Sequence, residues 1–146
     1  FMADVIERLL KNRASEIPPL YRKLSEAIES RTIPLAELAK SETLNDSPES
    51  YRRKLEAGTG RRSAAYELAL RSPLAYQSGD QVTYYLTGEK KKVSVVDNAR
   101  LLSEAPPDRR DENTAYYLGK LEELYQLFQP FFSVPPADAG QGNLPL

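Results

Sequence analysis

The chain of 146 residues contains no cysteine and no histidine. Disulfides, thiolate or imidazole metal sites, cysteine nucleophiles and Ser-His-Asp triads are therefore excluded within it. No apolar run approaches the roughly 20 residues that a membrane helix needs, and the start carries no signal-peptide pattern. These absences predict a soluble, cytoplasmic protein. The first residue is Phe1 rather than Met, which reads as a piece cut from a longer protein.

Net charge is also nearly absent, at −1 from 20 basic and 21 acidic residues. The distribution is uneven. Residues 51–71 hold Arg52, Arg53, Lys54, Arg61, Arg62 and Arg71 against only Glu56 and Glu67. Residues 101–146 hold three cations against seven acids. A basic middle beside an acidic end can face an anionic partner without raising the overall pI.

What the chain does have is hydrophobic periodicity. Val5, Ile6, Leu9 and Leu10 predict a first helix ending near Asn12, interrupted by Ile17-Pro18-Pro19. Leu20, Leu24, Ala27 and Ile28 predict a second, broken in turn by Ile33-Pro34. A single turn over Leu35–Ala39 and an extended polar stretch, Lys40 to Asp46, come next. Ser47-Pro48-Glu49 reads as a helix start with Ser47 as N-cap, and Gly58-Thr59-Gly60 as its stop. Another helix is expected from about Arg61 to Leu70.

The period then changes to two. Val82, Tyr84 and Leu86 alternate with Gln81, Thr83 and Tyr85, and Val93 to Val96 is expected to return as the second strand of a hairpin. Lys90-Lys91-Lys92 at its turn reads as a solubility feature. A long last helix carries Tyr117, Leu118, Leu121, Leu124, Tyr125, Phe128, Phe131 and Phe132 on one face, with Asn113 or Thr114 as cap and Pro130 as terminator. That stripe has core spacing rather than the pattern of a base-stacking platform. The expected fold is α+β, mainly helical, with a small β-hairpin and a long C-terminal helix. It forms one domain over residues 1–132 and a flexible Pro/Gly/Ala-rich tail over 133–146.

Catalytic readings find little support. The carboxylates lie on exposed helical faces interleaved with cations, and Asp111-Glu112 suits a helix N-terminus better than a pocket. Gly58-Thr59-Gly60-Arg61-Arg62-Ser63 lacks the lysine of a nucleotide-binding P-loop. A Gly-rich turn leading into a helix can instead present unpaired backbone N–H groups to a phosphodiester, with Arg61, Arg62, Thr59 and Ser63 in the first turn. Tyr51, Arg52, Arg53 and Lys54 lie one helix upstream. Such a surface would hold phosphates without reading bases. A merely solvated basic face accounts for the same residues equally well.

The order of elements resembles the C-terminal thumb of family B DNA polymerases, most like the bacterial repair-type members. The resemblance covers roughly residues 15–132. It rests on Tyr51 in a basic helix, the turn Gly58-Thr59-Gly60, Ala64-Ala65, the pattern Tyr76-Gln77-Ser78-Gly79-Asp80-Gln81-Val82-Thr83-Tyr84, and the Tyr116-Tyr117 pair. It implies a non-catalytic module that grips the sugar-phosphate backbone of a primer–template duplex during replication or repair. Lys40, Ser41, Tyr51, Gly60, Arg61, Arg62 and Ser63 match the family's backbone-contacting positions, and Arg52, Arg53 and Lys54 extend the basic surface. The chain departs from the family at Arg61-Arg62, where many members carry Pro-His or a similar pair.

Nucleotidyl transfer in the family belongs to an Asp-Thr-Asp motif on a separate palm domain, where Mg is held. No such motif occurs here. The resemblance thus implies a fragment with no cofactor and no polymerase activity of its own, cut from a DNA-directed DNA polymerase and partnered by its palm. Gln141-Gly142-Asn143-Leu144-Pro145-Leu146 is similar to the hexapeptide with which bacterial polymerases dock on the sliding clamp, and assigns Gln141, Leu144 and Leu146 to that contact. The competing reading is a helical protein-interaction module without DNA binding.

Overall fold

A computed structural model describes residues 1–131. It confirms the α+β class: seven helices and a small antiparallel sheet of three strands among the described residues. The chain divides into two compact units, Phe1–Thr32 together with the chain from Tyr117 onward, and Ile33–Tyr116 between them.

The first unit is helical. Helix α1 (Met2–Leu10) gives way through a short 3-10 turn (Ala14–Glu16) to α2 (Ile17–Glu29). Pro18 and Pro19 fall in the first turn of α2, where a missing N–H costs nothing, so they begin that helix rather than merely separate it from α1. Both helices end with a residue in the left-handed region, Asn12 (φ 56°) and Arg31 (φ 60°). In each case the next two amides fold back on the last turn: Asn12 to Leu9 and Arg13 to Arg8, then Arg31 to Ile28 and Thr32 to Ala27. Val5 and Ile17 are fully buried. The long helix α7 (Thr114–Phe128) adds Leu121, and its Tyr125 ring stacks on Tyr21 of α2 at 4.0 Å between centroids. Its aromatic stripe is only partly core. Phe131 is 67% exposed, in the 3-10 turn around Pro130 that terminates the helix as expected. Phe132 lies outside the described residues.

The second unit is built on the sheet. The order is β1 (Lys40–Thr43), β2 (Gln81–Leu86), β3 (Ala99–Leu101), all antiparallel, with Lys40 opposite Tyr84 and Tyr84 opposite Leu101. The polar stretch at Lys40 is thus an edge strand. The hairpin differs from its expected form. Val93 to Val96 does not return as a strand, because Ser94 caps a short helix, α6 (Val95–Asn98), by accepting from the Asp97 amide. The returning strand is Ala99–Leu101 instead. Its partner β2 is buried on Val82, Tyr84 and Leu86, and on Tyr85 as well. The Tyr85 phenol is accommodated by donating to Asp111, whose other oxygen lies 2.8 Å from Arg100. Burial and the Asp111 carboxylate together push that phenol well above its ordinary value.

Helix α3 (Leu35–Leu38) is the expected single turn, and α4 (Pro48–Glu56) and α5 (Ala64–Arg71) follow β1. Helix α5 turns Ala64, Ala65, Leu68 and Ala69 inward and packs on β2 and β3. Small residues at these positions let the helix backbone approach the strands closely. No helix among the described residues is long and apolar enough to cross a membrane.

Candidate nucleic-acid interface

The candidate residues centre on α4, α5 and the loop between them. Ser47 accepts from the Ser50 amide at 3.1 Å and starts α4, with Pro48 at the first helical position. The helix ends at Gly58, which takes φ 76°. The Gly58 and Thr59 amides bond back to the Leu55 and Lys54 carbonyls, both at 3.0 Å. This turn is therefore a helix terminator. Its amides at 58 and 59 are committed, so it does not offer them to a phosphate.

Two tyrosines lock the helices to each other. The rings of Tyr51 (α4) and Tyr66 (α5) stack at 4.9 Å with 13° between their planes. The Tyr51 hydroxyl accepts from the Ser63 amide at 2.9 Å, at the start of α5. The Tyr66 hydroxyl accepts from the Asp46 amide at 3.0 Å, just before α4. Each tyrosine thus satisfies a backbone donor at the beginning of the other's helix, a group that helix geometry leaves without an internal partner. Tyr51 is buried, and burial raises its pKa, so the phenol stays protonated and donates to Glu67 at 3.0 Å.

Most of the expected contact residues are engaged within the protein. Arg52 forms ion pairs with Glu49 and Glu56 on its own helix. Lys54 Nζ lies 2.9 Å from Asp46, which holds that carboxyl down at about 2. Arg62 grips Glu67 through two bonds of 2.9 Å and reaches Asp97 at 3.0 Å. Helix α5 begins at Ala64, so Arg61 and Arg62 precede its first turn rather than occupy it. Ser63 is the N-cap residue by position, its hydroxyl making no capping bond. Gly60 is exposed and shows no left-handed φ.

Lys40 and Ser41 lie apart from this cluster, on β1. Lys40 sits 3.8 Å from Glu42, and the Ser41 hydroxyl pairs across the strands with Thr83 at 2.7 Å. Arg53 and Arg61 differ from their neighbours Arg52 and Arg62. Both are exposed, and among the described residues neither side chain has a hydrogen bond or ion pair. Gln141, Leu144 and Leu146 lie outside the described residues.

The sequence count of six cations against two acids therefore changes in three dimensions. Asp46, Glu49 and Asp97 join Glu56 and Glu67 as ion-pair partners of the basic segment. Three of the six cations, Arg52, Lys54 and Arg62, take up these five carboxylates. Asp97 is 35 residues from Arg62, a separation from which no local spacing rule could have predicted the pairing. Tyr66 was equally hidden, because an aromatic on an amphipathic helix reads as core. Among the described residues no three carboxylates gather in a way that could hold a metal ion. Compared with known protein families and curated proteins, the chain matches no family model and no curated relative.

Proposed function

We propose that the chain is a non-catalytic duplex-gripping module, the thumb of a family B DNA polymerase. It would hold the sugar-phosphate backbone through the exposed side of α4 and the following loop. The observation that carries this reading is the pair Arg53 and Arg61, two exposed guanidinium groups with no hydrogen bond or ion pair among the described residues, on a surface where Arg52, Lys54 and Arg62 are paired. An arginine left solvated is available to make bidentate contacts with a phosphate. The order of sequence features, from Tyr51 to Tyr116-Tyr117, supports the family assignment.

The test is binding of the full chain to a short mixed-sequence DNA duplex across a salt series. Affinity is expected to fall along a straight line in log–log coordinates, with a slope of about −0.9 for each phosphate neutralised. No binding at low salt would overturn the proposal. It would favour the second reading, a protein-interaction module. For that reading the relevant observation is an apolar groove beside the C-terminal end of α5, lined by Pro48, Leu70, Leu74, Ala75 and Tyr76.

A further inference from the structure

We infer that the arginines of the basic surface divide into two roles: Arg53 and Arg61 contact phosphate, while Arg62 is a strut whose charge is consumed inside the protein and whose loop is positioned by the Tyr51 hydroxyl. The inference rests on the duplex-binding reading. It reverses what spacing suggests, since Arg61 and Arg62 are adjacent and look interchangeable.

The geometry separates them. Arg62 spends its guanidinium on both oxygens of Glu67 at 2.9 Å and on Asp97 at 3.0 Å. Glu67 is itself fixed from the far side, because Oε2 also accepts from Tyr51 at 3.0 Å. The same hydroxyl receives the Ser63 amide at 2.9 Å. One oxygen atom therefore ties α4, the residue after Arg62 and the carboxylate holding Arg62 into a single unit. A phosphate approaching Arg62 would have to displace two carboxylates already in place. Arg61 is one residue earlier and lies outside this network, so it projects from a loop whose far end is pinned. Its partnerless state costs the surface no existing bond when a phosphate arrives.

Salt dependence reads the two roles directly, because the slope counts phosphate contacts and is insensitive to how well the loop is held. In the full chain, R53A together with R61A is expected to flatten the log–log slope by about two contacts. Y51F keeps the stacked ring and loses only the hydroxyl. It is expected to weaken binding several-fold at every salt concentration with the slope unchanged. Glu67→Gln combined with Asp97→Asn releases Arg62 and is expected to steepen the slope by about one contact. Circular dichroism on each variant confirms that it is folded.

Failure of the wild-type chain to bind the duplex would remove the function and this inference together. Binding by wild type with an unchanged slope in R53A/R61A would overturn the division of roles alone. So would a flattened slope in R62A, or an unchanged slope when both carboxylates are neutralised.

Discussion

Five carboxylates, Glu16, Asp46, Glu49, Glu67 and Asp97, are held below their ordinary pKa. The principal cause is a hydrogen-bonded cation in four of them: Arg13 for Glu16, Lys54 for Asp46, Arg52 for Glu49 and Arg62 for Glu67. For Asp97 it is the Ser94 side chain, with Arg62 second. A carboxylate with a depressed folded pKa stabilises the native state above its unfolded pKa, and that contribution disappears as pH falls through the folded value. The thermal midpoint should therefore fall between about pH 4.5 and about pH 2. Asp46→Asn should remove part of that fall, since Lys54 holds the Asp46 carboxyl down at about 2. A midpoint indifferent to acid would mean that these pairs add nothing to stability. Residue identities at this scale were legible in the sequence, and partners were not. Arg52 with Glu49 and Glu56 follows i,i+3 and i,i+4 spacing, whereas Arg62 with Asp97 depends on where α6 is placed.

At the scale of elements, α7 begins where Asn113 places it. The buried Asn113 accepts from the Tyr116 amide at 3.0 Å and donates to the carbonyls of Thr87 and Lys90 at 3.2 and 2.8 Å. One side chain thus caps a helix and closes the excursion after β2. Asn113→Ala should cost about 2–3 kcal/mol in chemical denaturation, since it removes a cap and leaves two carbonyls without their donor. Gly88 lies in the same excursion at φ 103°, and a Cβ there would come within 3.2 Å of Asn98 Oδ1 and 3.3 Å of Asn113 Nδ2. Both amides are held by their own bonds, so Gly88→Ala should destabilise by about 1–3 kcal/mol. Gly60→Ala is the contrasting case. Its Cβ would meet the nearest atom at an ordinary 3.5 Å, and the change should stay within about 0.5 kcal/mol. Caps and breakers such as Ser47-Pro48, Gly58 and Pro130 were legible because they act within one turn. The strand at Val93–Val96 was misread because β-branched residues favour strands in the absence of a cap, and Ser94 supplies one.

Across the whole molecule, the near-zero net charge is locally enforced as well as globally true. The basic segment meets five carboxylates, and only part of its apparent excess remains for an anionic partner. A duplex contact should accordingly be weak, with a shallow salt dependence, resting on few guanidinium groups rather than on a broad field. The proposed clamp peptide belongs to this scale too, because it calls for a second macromolecular partner at the end of the chain. Removing residues 141–146 should abolish co-elution with a bacterial sliding clamp while leaving duplex affinity unchanged. Retained clamp binding after the deletion would exclude Gln141, Leu144 and Leu146 as the contact.

By itself the sequence determined the α+β class, the start of α4 at Ser47-Pro48, the terminator at Pro130, the central strand and the composition of the basic segment. Each of these depends on interactions within a few residues, or on a simple count. Only the tertiary structure decided which cations stay available. Ion pairs form wherever folding brings opposite charges within reach, and the Tyr51–Tyr66 stack that sets the α4–α5 geometry joins residues 15 positions apart. The absence of histidine and cysteine kept its meaning throughout. It leaves no thiolate or imidazole in the chain, so the ion pairs are made by carboxylate, ammonium and guanidinium groups, and the fold decided which of them meet.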